Sequence, residues 1–404
     1  GLGDAVFSVF NFTDAIGTSN SDSIVGDDND NVFGGSEGND VYDGRGGDDT
    51  VDYSNLSEKV TLKAVGEIDK GAAGTDEILA IETIIGASGQ RNLIDGTVAG
   101  GGPASFDIDL SANSLTVAGI PGLGDAVFSV FNFTDAIGTS NSDSIVGDDT
   151  DNVFGGSRDD DLLDGQGGID TADYSDLGQA ITLEQLGLIN KGSAGTDQIL
   201  NIETIVGAED RDNTIDGSTG TSGVTSFEVD LSAQSLTVRD IPVLGDQSFT
   251  VENFVRVIGT SNADDITGDG GDNFLDGEGG GDILIGGGGD DRLRGRSGDD
   301  TLVGVDPTSA TPGAGEVDRL VGDNGADTIV LGDGTNVFYS FSGNGDFADI
   351  RGFVSGTDTI ELTGSLGDYF FNGDNTEIFL NSNNDLIARF TNGAFDPNVD
   401  FSFV

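Results

Sequence analysis

The sequence predicts an all-β fold, a solenoid of the parallel β-roll or β-helix kind whose short strands stack in register. Two observations predict it. A nine-residue period sets glycine, an oxygen-bearing side chain and an apolar residue at fixed places, and a 121-residue period repeats the whole arrangement. The shorter period is clearest from 259 to 303, as GTSNADDIT, GDGGDNFLD, GEGGGDILI, GGGGDDRLR and GRSGDDTLV. Asp264, Asn273, Asp282, Asp291 and Asp300 hold the sixth place, and Ile266, Leu275, Leu284, Leu293 and Leu302 hold the eighth.

Each nonad divides into about six turn residues and three strand residues. Two nonads make one coil, so successive strands stack at roughly 4.8 Å, the ordinary inter-strand spacing. Glycine serves the turns because they enter backbone regions closed to residues with a Cβ. The apolar residue points inward onto its counterparts above and below. One such residue per nonad is a thin core.

Earlier arrays keep the schedule. Nonads open at Gly17, Gly26, Gly35 and Gly44, with Asp22, Asn31, Asp40 and Asp49 sixth and Ile24, Phe33, Tyr42 and Val51 eighth. They open again at Gly138, Gly147, Gly156 and Gly165, with Asp143, Asn152, Asp161 and Asp170 sixth and Ile145, Phe154, Leu163 and Ala172 eighth. After a Pro/Thr/Ser-rich insertion at 305–312, expected as a surface loop, two partial nonads carry Asp318 with Leu320 and Asp327 with Ile329.

The longer period sets the expected organisation. Residues 1–36 match 122–157 with one difference, Asn29 against Thr150, and GTSN recurs at Gly17, Gly138 and Gly259. We expect the end of an upstream repeat at 1–16, and units at 17–137 and 138–258, with nonads at 17–52 and 138–173. A third array spans 259–334, and a β-rich cap spans 335–404. The chain reads as part of a longer protein. Alternating β-branched stretches between the arrays, such as 105–110 and 115–117, are expected as further rungs of the solenoid with degenerate turns. The last segment, 335–404, holds 13 of the 29 aromatic residues and suits a capping apolar core.

Composition excludes several function classes. Net charge is −57, from 73 acidic and 16 basic residues. Nucleic acid and anionic lipid would be repelled. Cys, His, Met and Trp are absent. That excludes a disulfide framework, thiolate metal sites and an imidazole-based catalytic triad. No apolar run approaches the ~18 residues of a membrane span. No pair of acids is singled out as catalytic, so an enzyme is not expected.

The oxygen donors do point to a ligand. Backbone carbonyls and carboxylates suit Ca²⁺, which takes six or so oxygens in irregular geometry. Mg²⁺ demands a tighter octahedron, and Zn²⁺ favours the missing His and Cys. Metal binding that favours only the folded state becomes folding energy.

The nonads resemble the G-G-x-G-x-D-x-U-x motif of repeat-in-toxin (RTX) exoproteins. The resemblance implies a right-handed parallel β-roll with multiple Ca²⁺ in its turns, each between two turns two nonads apart. The side-chain ligands it implies are Asp22 with Asp40, Asn31 with Asp49, Asp143 with Asp161 and Asn152 with Asp170. In the third array they are Asp264 with Asp282, Asn273 with Asp291 and Asp282 with Asp300, and Asp318 and Asp327 continue the series. The sequence departs from the motif at the second place (Thr18, Asp27, Ser36, Arg45), and Asn at 31, 152 and 273 removes a charge. DTVDYSNL…GTDEILAIETIIGA and its copy DTADYSDL…GTDQILNIETIVGA are similar to modules of the cyanobacterial surface-fibril type. The last segment resembles the C-terminal secretion region of type I secretion substrates. These likenesses imply a secreted, calcium-dependent structural protein of the cell surface, self-associating head to tail into a fibre and exported by type I machinery. The alternative they leave open is a secretion and folding appendage of a larger exoenzyme, toxin or adhesin.

Overall fold

A computed structural model describes residues 12–63, 66–97, 105–120, 124–184, 187–219 and 225–404. Residues 1–11 of the expected upstream remnant lie outside the described residues. The chain forms two compact units, Gly1–Leu177 with Lys191–Glu203, and Gly178–Asn190 with Thr204–Val404. Among the described residues there are short strands and 3₁₀ turns but no α-helix.

In the second unit the unbroken nonads form two parallel ladders. Asp265–Thr267, Ile283–Ile285 and Thr301–Val303 stack on one face, with Ile266 opposite Leu284 and Leu284 opposite Leu302. Phe254–Ile258, Phe274–Asp276 and Arg292–Ser297 stack on the other, with Val257, Leu275 and Leu293 in line. Partners are two nonads apart, so two nonads make a coil. The eighth-place residues Ile266, Leu275, Leu284, Leu293 and Leu302 are all buried.

The insertion leaves the register intact. Leu293 pairs with Leu320 and Leu302 with Ile329, one nonad length further along the chain than before. Residues 306 and 308 are exposed as expected of a loop. Its ends are not: Val305 is buried, and the Pro312 carbonyl accepts the Tyr339 N–H at 3.0 Å. Tyr339 fastens the loop back onto the coil.

The first unit repeats the pattern. Asp14–Ile16, Val32–Gly34, Thr50–Asp52 and Thr83–Ile85 form one parallel ladder. Ser23–Val25, Val41–Asp43 and Thr75–Leu79 form the other. The stretches between arrays correct one expectation. Ser105–Asp109, Ser114–Ile120 and Gly124–Phe131 form an antiparallel meander, and only its outer strands rejoin the parallel ladders. In the second unit Ser226–Asp230, Ser235–Ile241 and Gly245–Glu252 do the same. Asn113 and Gln234, at φ 55° and 56° in the tight connections between the first and middle strands, reverse the chain there. The seven-residue middle strand therefore pairs antiparallel with both neighbours and leaves the coil.

The boundary expected at 335 is not a break in the ladders. Phe347–Arg351 and Leu386–Thr391 continue one face, and Thr359–Leu362 and Phe401–Phe403 continue the other. Ile350 and Ile360 occupy the inward place that nonads give to Leu. The aromatic residues then close the interior, with Phe395 packed against Phe371, Phe390 and Phe401 at 5.0–5.2 Å between ring centres.

Candidate metal centre

The sixth-place side chains form a buried ladder at the turns. Each carboxylate reaches back one coil and accepts the backbone N–H of its predecessor. Asp40 accepts from Asp22 at 2.9 Å, Asp49 from Asn31 at 2.7 Å, Asp161 from Asp143 at 2.9 Å and Asp170 from Asn152 at 2.7 Å. Asp282 accepts from Asp264, Asp291 from Asn273, Asp300 from Asp282, Asp318 from Asp291 and Asp327 from Asp300, at 2.8–3.1 Å. All fifteen residues singled out by the sequence thus stand in the ladders, and every pair implied by the resemblance is in contact. All but Asp22 are buried.

The second carboxylate oxygen sorts them. In Asp49, Asp170, Asp282, Asp291, Asp300 and Asp327, Oδ2 is buried and accepts no hydrogen bond. In Asp22, Asp143 and Asp264 it accepts the N–H of Thr18, Thr139 and Thr260 at 2.5–2.6 Å. In Asp318 it accepts the Tyr339 hydroxyl at 2.6 Å. The asparagines use their oxygen inside their own turn. Asn31, Asn152 and Asn273 accept the N–H of Asp27, Asp148 and Asp269 at 2.7–2.9 Å.

Six buried carboxylates with an unmet oxygen are costly to desolvate. Burial pushes Asp291 up to about 8, Asp282 up to about 7, and Asp170 and Asp327 up to about 6; Asp49 and Asp300 rise for the same reason. A proton or a cation would relieve them. The surroundings favour a hard cation. The unmet oxygen lies over the glycine that opens its own nonad, and at four of the six a turn carbonyl from the next coil meets it there. At Gly277 this carbonyl belongs to Gly295, at Gly286 to Gly304, at Gly44 to Ala80 and at Gly165 to Asn201. A Cβ on these glycines would fill the cradle. Among the described residues no three carboxylates converge on one point. Any ion there takes most of its donors from carbonyls, which Ca²⁺ accepts and which Zn²⁺ would not. The residues fit calcium.

Several ladder members escaped sequence reading. Glu82 accepts the Asp49 N–H and Glu203 the Asp170 N–H, both at 2.8 Å. Asp76 and Asp197 accept from Asp40 and Asp161 at 2.9 and 3.0 Å, and Asp358 from Asp327 at 3.2 Å. Their spacings of 31 to 36 residues hide them. A local signal was present: each is followed two places on by an inward Ile, as in Asp76–Ile78, Glu82–Ile84 and Asp358–Ile360. Asn92 and Asn213 close their turns differently. Each amide donates to two turn carbonyls at 2.6–2.8 Å, Ala87 and Asn132 in one case and Ala208 and Asn253 in the other. An amide that meets the carbonyls leaves no work for an ion.

Comparison with known proteins agrees with this geometry. The RTX calcium-binding nonapeptide repeat matches in four copies, at residues 16–51, 258–292, 276–305 and 312–346. No curated protein matches the chain. Among solved structures, the extracellular lipase LipA from Serratia marcescens aligns at 15% identity and a TM-score of 0.24. The alignment covers 65% of this chain and 40% of the lipase, a likeness too slight to bear on function. Among the described residues no helix is long and apolar enough to cross a membrane. The nonad register, the carboxylate ladder and the fourfold match together show that this chain carries RTX calcium-binding nonapeptide repeats at those residues.

Proposed function

We propose that this chain is part of an extracellular structural protein, a calcium-stiffened solenoid that builds a cell-surface fibre after export by type I machinery. The observation that carries the reading is the near-identity of the 121-residue units. Asp14–Ile16 through Thr50–Asp52 recur as Phe133–Ile137 through Thr171–Asp173, with equivalent ladder bonds. A protein that needs one binding or catalytic site has no use for copies of the same rungs; a protein that needs length has. Calcium, when bound, supplies the positive charge that the unmet oxygens lack. The aspartates hold adjacent coils in register, the glycines let the turns approach, and the apolar residues exclude water between the ladders. The segment is read as non-catalytic. It is expected to take up several ions, with the six cradles as the first sites to fill.

Where free calcium is scarce, a chain of net charge −57 repels itself and stays open for export. Outside the cell, sites of the ~10⁻⁴–10⁻³ M class fill and the rungs close. Electron microscopy of the purified protein with millimolar calcium and with EGTA tests the reading. Filaments that form by end-to-end contact in calcium and vanish in EGTA are expected. Monomers in both conditions would count against the fibre and favour a folding appendage of a larger exoprotein.

A further inference from the structure

Two lysines stand inside the carboxylate ladder. Lys70 and Lys191 are both 0% exposed, a rare state for lysine. Each leads into a short 3₁₀ turn, Gly71–Ala73 or Gly192–Ala194. The Lys70 ammonium donates to the Ser36 carbonyl at 2.7 Å, pairs with Asp76, and stands 3.5 Å from Asp40 Oδ2. The Lys191 ammonium donates to the Ser157 carbonyl at 2.7 Å, pairs with Asp197, and stands 3.2 Å from Asp161 Oδ2.

The partners are donors of the kinds argued above for calcium, ladder carboxylates and a turn carbonyl. Asp40 and Asp76 are consecutive ladder members, as are Asp161 and Asp197. Ser36 and Ser157 hold the second place of their nonads, so their carbonyls are turn carbonyls. No oxygen is left over. Asp40 Oδ2 also accepts the Ser36 hydroxyl at 3.0 Å, and Asp161 Oδ2 the Ser157 hydroxyl at 2.7 Å. The second oxygens of Asp76 and Asp197 accept Tyr53 and Tyr174 hydroxyls at 3.0 and 2.9 Å. One nonad on, Asp49 and Asp170 have an unmet oxygen and no ammonium.

We propose that Lys70 and Lys191 are tethered cations standing in for calcium, so that one turn in each 121-residue unit closes without an ion while the neighbouring turns at Asp49 and Asp170 require one. The proposal rests on reading the ladder as a calcium centre. An ammonium carried by the chain is at hand at any calcium concentration, whereas a free ion must be taken up from solution. These turns hold their geometry first, and the cradles beside them are ordered before calcium arrives.

Anomalous diffraction from crystals of the wild-type protein grown in calcium tests this. Ion density is expected beside Asp49 and Asp170 and none between Asp40 and Asp76 or between Asp161 and Asp197. Density at all of these places, with the lysines displaced, would overturn the tethered-cation proposal alone. Density at none would overturn the calcium reading and the proposal together. A second measurement uses Lys191→Met, which keeps an unbranched side chain, ends one atom short of the ammonium position and removes the charge. Native mass spectrometry in calcium should show one more bound ion than wild type, and Tb³⁺ emission sensitised by Tyr174 should rise. An unchanged ion count in a folded variant contradicts the proposal. If the variant does not fold at millimolar calcium, the wild-type diffraction result decides.

Discussion

A sixth-place aspartate uses its two oxygens differently. One accepts a backbone N–H from the coil before; the other meets either a donor or nothing. Asp291 shows the second case, buried with Oδ2 unmet beside the Gly304 carbonyl. Asp291→Asn keeps the first bond and gives the second position an amide that can donate to that carbonyl, as Asn92 and Asn213 already do. It should lose one ion by native mass spectrometry. It should melt lower than wild type in calcium, by on the order of 2 kcal/mol, yet no lower in EGTA. A lower melting point in EGTA as well would show that the carboxylate stabilises without an ion. The same oxygens set the pH response. Burial raises Asp291 to about 8, Asp282 and Asp318 to about 7, and Asp143, Asp170, Asp264 and Asp327 to about 6. The folded chain therefore holds these protons more tightly than the unfolded chain. Their stabilisation is fully present below the ordinary carboxylate range and is lost as pH rises through 6–8. In EGTA, circular dichroism should show more β-structure at pH 5 than at pH 8, the reverse of ordinary acid unfolding. Calcium uptake near pH 7 should release protons, seen as a calorimetric heat that changes with the ionisation enthalpy of the buffer; no buffer dependence would contradict it.

At the scale of the turn and the strand, glycine divides into two kinds. Gly289 has φ +107°, and a Cβ there would fall 2.7 Å from the backbone carbon of Gly271 in the coil before. A Cβ on Gly270 would meet nothing within 4 Å. Gly289→Ala should destabilise the calcium-loaded protein by roughly 1–3 kcal/mol, while Gly270→Ala should lie within about 0.5 kcal/mol of wild type. Equal melting points in the two variants would mean that coil approach does not set glycine usage. The nonad rungs were legible in the sequence because inward residue, turn glycine and carboxylate recur at one interval. The meanders were not. Residues 105–110 and 115–117 alternate as any half-buried strand does, and alternation alone does not distinguish a parallel rung from an antiparallel excursion. Nor were Glu82, Asp76 and their copies legible, because the ladder crosses a long excursion before it resumes. Lys70 and Lys191 recur at the 121-residue period but stand outside the nine-residue one; only the fold brings them under Asp40 and Asp161.

The whole molecule is a balance of charge against cohesion. Its net charge of −57 opposes every compact state, and its interior is a single file of apolar residues on each ladder. Tethered ammonium groups at Lys70 and Lys191 and amides at Asn92 and Asn213 close a few turns, and the cradles at Asp49, Asp170, Asp282, Asp291, Asp300 and Asp327 wait on an external cation. Hydrogen–deuterium exchange at pH 8, with and without EGTA, reads that division directly. Slow exchange is expected in the strands flanking all six cradles in calcium; on chelation protection should be lost nearly completely beside Asp282, Asp291, Asp300 and Asp327 and only in part beside Asp49 and Asp170, where Lys70 and Lys191 hold the adjacent turns, and it should return with calcium. Protection that persists in Ile283–Ile285 and Thr301–Val303 after exhaustive chelation would contradict the account.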